Sequence, residues 1–262
     1  MKPKILITND DGVNEPGIRF LWEALHEIAD VTVVAPSTEK SATALSITVR
    51  HPLKVESVHW EGANAWSVTG TPADCIKLGL SEYMTTPPDL ILSGINPGSN
   101  AGRNLLYSGT VGGVIEGILH QIPGIAFSTA SFTKPNFSDC IPYIKNIVQD
   151  VLDNPLPVGT LLNVNFPDTP TFQGLKFTRQ GSGMWVEDPD KRIHPTQGHS
   201  YFWIGQKEFH PEEPEDTDTW WLNKGFITAA PIHIAELTDH RLLKTRKKSF
   251  EKLFNEKLTA YS

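Results

Sequence analysis

Ile5-Leu6-Ile7-Thr8-Asn9-Asp10-Asp11-Gly12 is an apolar run of strand length that halts at an amide, two adjacent carboxylates and a glycine. A short unbroken apolar run ended by turn residues reads as a strand buried on both faces. Such strands belong to parallel sheets, whose crossover helices cover both sides. Outward from this stretch the pattern repeats. Ile18, Leu21, Trp22, Leu25 and Ile28 recur at helical spacing, and Val31-Thr32-Val33-Val34-Ala35 is a second strand stopped by Pro36. Trp66-Ser67-Val68 leads into Thr69-Gly70-Thr71-Pro72, where the proline suits the first turn of a helix reaching about Leu80. Asp89-Leu90-Ile91-Leu92-Ser93 is a further strand, closed by Gly94-Ile95-Asn96-Pro97-Gly98. A small-residue helix over about 110–121 and the strand Gly124-Ile125-Ala126-Phe127 follow. Alternating short strands and helices predict an α/β fold: a mostly parallel sheet with helices on both faces.

The second half reads differently. A helix over about 141–152 and the strand Leu161-Leu162-Asn163-Val164-Asn165 continue the alternation, but residues 177–222 are rich in Gly, Pro, Trp, His and Asp and hold no sustained period. We read this segment as an extended excursion, a hairpin arm that is either a lobe over the site or a surface buried in an oligomer; exposed Trp203, Trp220 and Trp221 favour the oligomer contact. A terminal helix is predicted near 240–258, and its basic cluster, Lys244 to Lys248, is a solvated face. The expected organisation is one unit over 1–262, with a core carrying the site at 1–130, the arm at 175–225 and the terminal helix used in oligomerisation.

At 262 residues the chain is long enough for one large α/β domain, and 39% hydrophobic with 20% charged residues is ordinary for a globular protein. A net charge of −7 argues against a nucleic-acid partner, which requires a basic surface to displace counterions. An acidic protein still binds small phosphates where a metal or a helix N-terminus reverses the local field. Cys75 and Cys140 are too few and too far apart for a disulfide framework or a metal knuckle, and read as buried thiols. No signal peptide or membrane-spanning stretch is evident, so a cytoplasmic protein with no membrane partner is expected.

In open parallel sheets ligands bind beyond the carboxyl ends of the strands. Four polar, glycine-bearing segments fall at that edge: residues 9–12, the loop 37–46 with Ser41, Thr43 and Ser46, residues 69–74, and residues 93–100. Asp10 and Asp11 point in opposite directions in extended chain and serve one ion only if the backbone turns, which Gly12 permits. Two carboxylates with neutral Ser and Asn oxygens suit Mg²⁺, Mn²⁺ or Ca²⁺ rather than structural zinc. Ser108-Gly109-Thr110 opens the small-residue helix and is the candidate phosphate cradle, a role compatible with simple capping by Ser108. Asn100 and Asn104 are further donors in that loop. The histidines, including His26, His194, His199 and His210, form no metal motif, and Ser41 lacks the elbow of a serine nucleophile.

These motifs, with Leu162-Asn163-Val164-Asn165-Phe166-Pro167 and Thr178-Arg179-Gln180-Gly181, resemble SurE, the survival-protein nucleotidases. The resemblance implies a Rossmann-like core with a projecting arm, swapped C-terminal elements, and a homodimer or homotetramer. It implies hydrolysis of nucleoside 5′- and 3′-monophosphates with one divalent metal ion per subunit, held by Asp10, Asp11, Ser41 and Asn96. The expected reaction uses a metal-activated water. Asp10 or Asp11 orients it, Asn9 fixes the loop or touches phosphate, and Asn96, Ser108, Gly109 and Thr110 bind the phosphate. One departure stands out: Lys40-Ser41-Ala42 carries alanine where the family loop has glycine, a strain of about a kcal/mol if that position needs φ > 0. An aspartyl-phosphate mechanism is disfavoured because Asn9 sits where its nucleophilic Asp would stand, and a phospho-acceptor domain because Asn96 replaces an acid. The alternative is a non-catalytic nucleotide-binding sensor on the same fold.

Overall fold

The computed structural model describes residues 2–209 and 212–259, so His210 lies outside it. In chain order the elements are β1 (Lys4–Thr8), α1 (Pro16–Leu25), β2 (Asp30–Pro36), β3 (Val55–Trp60), β4 (Ala63–Val68), α2 (Pro72–Leu78), β5 (Leu90–Pro97), α3 (Gly109–Leu119), β6 (Gly124–Thr129) and α4 (Ile141–Asp153). After them come β7 (Thr160–Phe166), β8 (Leu175–Phe177), β9 (Met184–Ile193), β10 (Ser200–Phe209), α5 (Asp218–Asn223), β11 (Ile227–His233) and α6 (His240–Thr259). A nine-stranded sheet runs in the order β3-β4-β2-β1-β5-β6-β7-β11-β8. From β4 to β7 every neighbouring pair is parallel. The edges depart from this: β3 is antiparallel to β4, and β11 antiparallel to β7. The chain winds from β1 towards β2 and β4, then returns to place β5 on the other side of β1. That reversal opens a crevice at the carboxyl ends of β1 and β5, where ligands of such sheets bind.

Alternation within the buried strands explains why both faces are covered. Ile5 and Ile7 enter one core with Ile18, Leu21 and Leu25 of α1 and Ile144 and Val148 of α4. Leu6 points the other way, to Cys75 and Ile76 of α2. Leu90 and Leu92 repeat the first direction and Ile91 the second. Helix α3 packs Val111, Val114 and Ile118 on Ala126 and Leu161. Its glycines let it lie close to the sheet: a Cβ at Gly117 would come within 2.4 Å of Ile91 Cδ1. Gly17 serves α1 in the same way, since a Cβ there would sit 2.0 Å from the Ile95 carbonyl oxygen.

The excursion folds as a two-stranded antiparallel hairpin, β9 against β10, in register from Ser200 opposite Ile193 to Phe209 opposite Met184. Asp188, Pro189, Asp190 and Gly205 break the apolar alternation, which hides these strands in the sequence. The hairpin base is pinned by backbone contacts. Arg103 N–H donates to the Gly183 carbonyl at 2.8 Å, and Trp185 N–H to Asn104 Oδ1 at 2.8 Å. Buried Asp218 accepts from the N–H groups of Gly102 and Gly181 at 3.0 and 2.7 Å.

One expectation is corrected. Trp203 is 63% exposed, but Trp220 and Trp221 are only part-exposed. They pack edge-on at 4.6 Å beneath the Thr217 cap of α5. Trp221 also meets Phe226 at 4.9 Å and the Lys176 ammonium at 4.2 Å. Nearby aromatic and cationic partners shelter them within the chain.

Gly17→Ala should destabilise the fold by about 3 kcal/mol, because α1 must retreat from the β5 backbone. A fall in the urea midpoint checks this; an unchanged midpoint would show the helix free to move.

Candidate active site

At the end of β1 the chain turns on Asn9. Its side-chain amide donates to the Gly12 carbonyl at 2.9 Å, and its Oδ1 accepts the Gly12 N–H at 3.2 Å. Gly12 adopts φ +128°, which the sequence anticipated from the need to turn. Asn9 is fully buried with both polar ends engaged, so its place here is to hold the loop.

The turn sends Asp10 inward against α3. Asp10 is 4% exposed, and Thr110 donates its hydroxyl to Oδ1 at 2.5 Å. Ser108 caps α3 by accepting from Val111 N–H at 3.1 Å. Gly109 leaves the space into which Asp10 fits: a Cβ there would lie 2.8 Å from Asp10 Cβ and 3.0 Å from Thr43 Oγ1. The structure thus brings together Asp10, Gly109, Thr110 and Thr43. The Thr110 hydroxyl serves Asp10, which makes Thr110 its anchor.

Burial pushes the Asp10 carboxyl above the usual range, against the hydrogen bond from Thr110. Asp11 is half-buried, and burial first, then the charges of Asp10, Glu39 and Glu15, push it up to about 7. Its Oδ2 is buried without a hydrogen-bond partner. Glu39 was not singled out in the sequence, although it stands two residues before Ser41.

Ser41 is exposed and donates to Glu39 Oε1 at 2.6 Å; Asn96 donates its amide to the Gly98 carbonyl at 2.6 Å. Loop 37–48 that carries Ser41 is fastened along its length. Lys40 N–H donates to the Asp10 carbonyl at 2.6 Å, Ala44 N–H to the Tyr107 carbonyl at 3.1 Å, and Thr48 N–H to Asp74 Oδ1 at 2.9 Å. Thr71 Oγ1 donates to the Ser46 carbonyl at 2.6 Å. The Thr69 to Asp74 motif is therefore a clamp on this loop as well as the capping box of α2. Ala42 and Ala44 take φ +56° and +49°, so the alanine at position 42 does occupy a left-handed site.

Asn100 and Asn104 turn out to be structural. Buried Asn100 donates its amide to Ser128 Oγ at 2.7 Å and its N–H to Asn165 Oδ1 at 2.8 Å, while Asn163 donates to its carbonyl at 2.9 Å. This network ties the loop after β5 to β7, a role that paired asparagines inside an apolar strand could have signalled.

A buried carboxylate beside a half-buried one, with Asp11 Oδ2 buried and unpartnered, fits a hard divalent cation that takes oxygen ligands. Among the described residues no group of three or more His, Cys, Asp or Glu forms a metal cluster, so neutral oxygens and water would complete the ligand shell.

A family model described as Survival protein SurE matches residues 5–187. The 5′-nucleotidase SurE of Protochlamydia amoebophila is 49% identical over 258 residues, spanning 97% of this chain and 99% of its own. That of Pelotomaculum thermopropionicum is 42% identical over 260 residues, with the same two shares. The crystal structure of SurE protein from Aquifex aeolicus is similar at a TM-score of 0.81 and 39% identity, covering 94% of this chain and 99% of that one.

Two outcomes follow from the geometry. Below pH 4 the Asp11 carboxyl is protonated in both folded and unfolded chains. Between 4 and 7 only the unfolded chain ionises, so stability falls as pH rises, and above 7 the full penalty stands. In chelator, Asp11→Asn should therefore melt above the wild type by roughly 5 °C at pH 8 and by little at pH 4. Mg²⁺ should narrow the gap; equal melting curves at both pH values would refute the burial argument. Ala42→Gly should raise the urea-derived stability by about 0.5–1 kcal/mol by relieving the left-handed alanine.

Proposed function

From the premise that the chain belongs to the SurE family, we propose that it is a nucleotidase, a metal-dependent phosphomonoester hydrolase that releases phosphate from nucleoside 5′- and 3′-monophosphates. The observation that carries this reading is the pairing of buried Asp10 and half-buried Asp11, whose Oδ2 is buried, with the N-terminus of α3 at the sheet's switch point. Relatives named 5′-nucleotidase SurE, matched over nearly the whole chain, support the same class of reaction.

One divalent ion per subunit, Mg²⁺, Mn²⁺ or similar, would be held by Asp10, Asp11, Ser41 and Asn96. When bound it neutralises phosphoryl charge and activates the water nucleophile. The chain's own groups do the positioning. Thr110 keeps Asp10 fixed, so the site is organised before substrate arrives. Asp11 Oδ2, the oxygen without a partner, accepts a hydrogen bond from the attacking water and orients it. Ser108 accepts from Val111 N–H, which leaves its own hydroxyl proton to donate to a phosphoryl oxygen. The N–H of Gly109, in the first turn of α3, adds a second donor, and the helix dipole favours the dianion.

The surface of β10 and α6 suits assembly. Phe202 is 59% exposed, Trp203 63%, Leu242 55% and Leu253 50%, and we assign these faces to the contacts of a homodimer or homotetramer. Among the described residues no helix is long and apolar enough to cross a membrane.

Phosphate release from a panel of 5′- and 3′-nucleoside monophosphates tests the reading. Mg²⁺ or Mn²⁺ should support turnover and chelator should abolish it. Asp10→Ala should lower kcat/KM by roughly 1,000-fold in folded protein. No release under any metal would transfer the function to a nucleotide-binding sensor.

A further inference from the structure

Among the described residues several large apolar side chains stand exposed near the catalytic edge, Tyr107 beside Ser108 and Phe132 among them. Phe132 is 75% exposed and lies in the loop just beyond β6, at the carboxyl end of the sheet. It sits over Gly98, the first residue after β5 and two positions beyond Asn96. A Cβ built on Gly98 would lie 3.2 Å from Phe132 Cδ2 and 3.7 Å from the Asn96 amide nitrogen. One small volume, kept open by a glycine at φ +110°, thus touches both the phenyl edge and the amide. Gly98 N–H also donates to the Thr129 carbonyl at 2.8 Å, which fixes this loop to the strand end from which the Phe132 loop departs.

An aromatic face left in water beside a phosphate site has a use if the substrate brings a flat apolar group of its own. A nucleoside monophosphate does, since its base extends several ångströms beyond the phosphate. Neither the sequence motifs nor the hydrogen bonds described above offer a dedicated polar reader of base edges at this position. Stacking, which every base supports through its π-face, is the interaction that a lone phenyl ring supplies.

We propose that Phe132 is the nucleobase platform of this enzyme and sets its preference for nucleotides over other sugar phosphates. The proposal rests on the nucleotidase reading for its substrate class. Recognition by stacking tolerates all bases and ranks them by area, so purine nucleotides should be favoured over pyrimidine ones.

The test compares AMP, CMP and ribose 5-phosphate, which keeps the sugar and phosphate but lacks a base. Wild type, Phe132→Ala and Phe132→Trp are measured for Mg²⁺-dependent hydrolysis and, by calorimetry, for binding. Because Phe132 is largely in solvent, its truncation leaves the core intact. Phe132→Ala should raise KM for AMP about tenfold with kcat little changed, a value in the range of one base-aromatic stack. Ribose 5-phosphate should be unaffected, and Phe132→Trp should restore or exceed wild-type AMP affinity. Equal losses for AMP and ribose 5-phosphate, or no loss for either, would overturn the platform while leaving the nucleotidase standing. Phe132-dependent AMP binding without hydrolysis by the wild type would overturn the nucleotidase and retain the platform.

Discussion

The burial of Asp10 against the first turn of α3 is the constraint on which the rest of the site depends. A carboxylate at 4% exposure is tolerable only if a donor meets it, and Thr110 supplies its hydroxyl. That meeting requires α3 to approach the end of β1 closely, which Gly109 allows by having no side chain to collide with Asp10. It also requires the chain to leave β1 sharply, which Asn9 and Gly12 arrange. Strand, turn and helix are thus fitted to one buried charge.

The loop carrying Ser41 is fitted to the same place from outside. Its Lys40 N–H reaches the Asp10 carbonyl and its Ala44 carbonyl fills the space beside Gly112, where a Cβ would come within 2.1 Å. Two alanines in left-handed geometry show that the path of this loop is imposed by its fastenings rather than by local preference. Asp74 and Thr71, far from Asp10 in sequence, hold its outer end. The polar motifs at the strand ends therefore divide into groups that face the crevice and groups that hold the former in position.

Much of this was legible in the sequence for physical reasons. Ile5 to Thr8 and Leu90 to Ser93 form unbroken apolar runs because both sheet faces are covered, and the glycine and hydroxyl groups after them mark where a sheet of this kind binds ligands. The αL position at residue 42 could be read from a missing glycine. What escaped was decided by partners distant along the chain. β3, an edge strand, and β11, between β7 and β8, run antiparallel to β4 and β7 and carry mixed patterns. β9 and β10 carry Pro189 and Gly205 in mid-strand, and the shelter of Trp220 and Trp221 comes from Phe226 and Lys176. The metal set has the same character: residue types suggested it, while Ser41 and Asn96 engage Glu39 and Gly98 in their hydrogen bonds.

The placing of the β9–β10 hairpin has a topological side. β8 and β11, which flank it in the chain, are direct neighbours in the sheet, joined from Leu175 opposite Ile227 to Phe177 opposite Ala229. The long intervening segment is therefore a cassette inserted at a seam that the sheet already closes. Its strands pair with each other and not with the large sheet, and its base is tied to the loop before α3 at Gly181 to Trp185. The crevice and the hairpin surface are thus set by different contacts within one polypeptide.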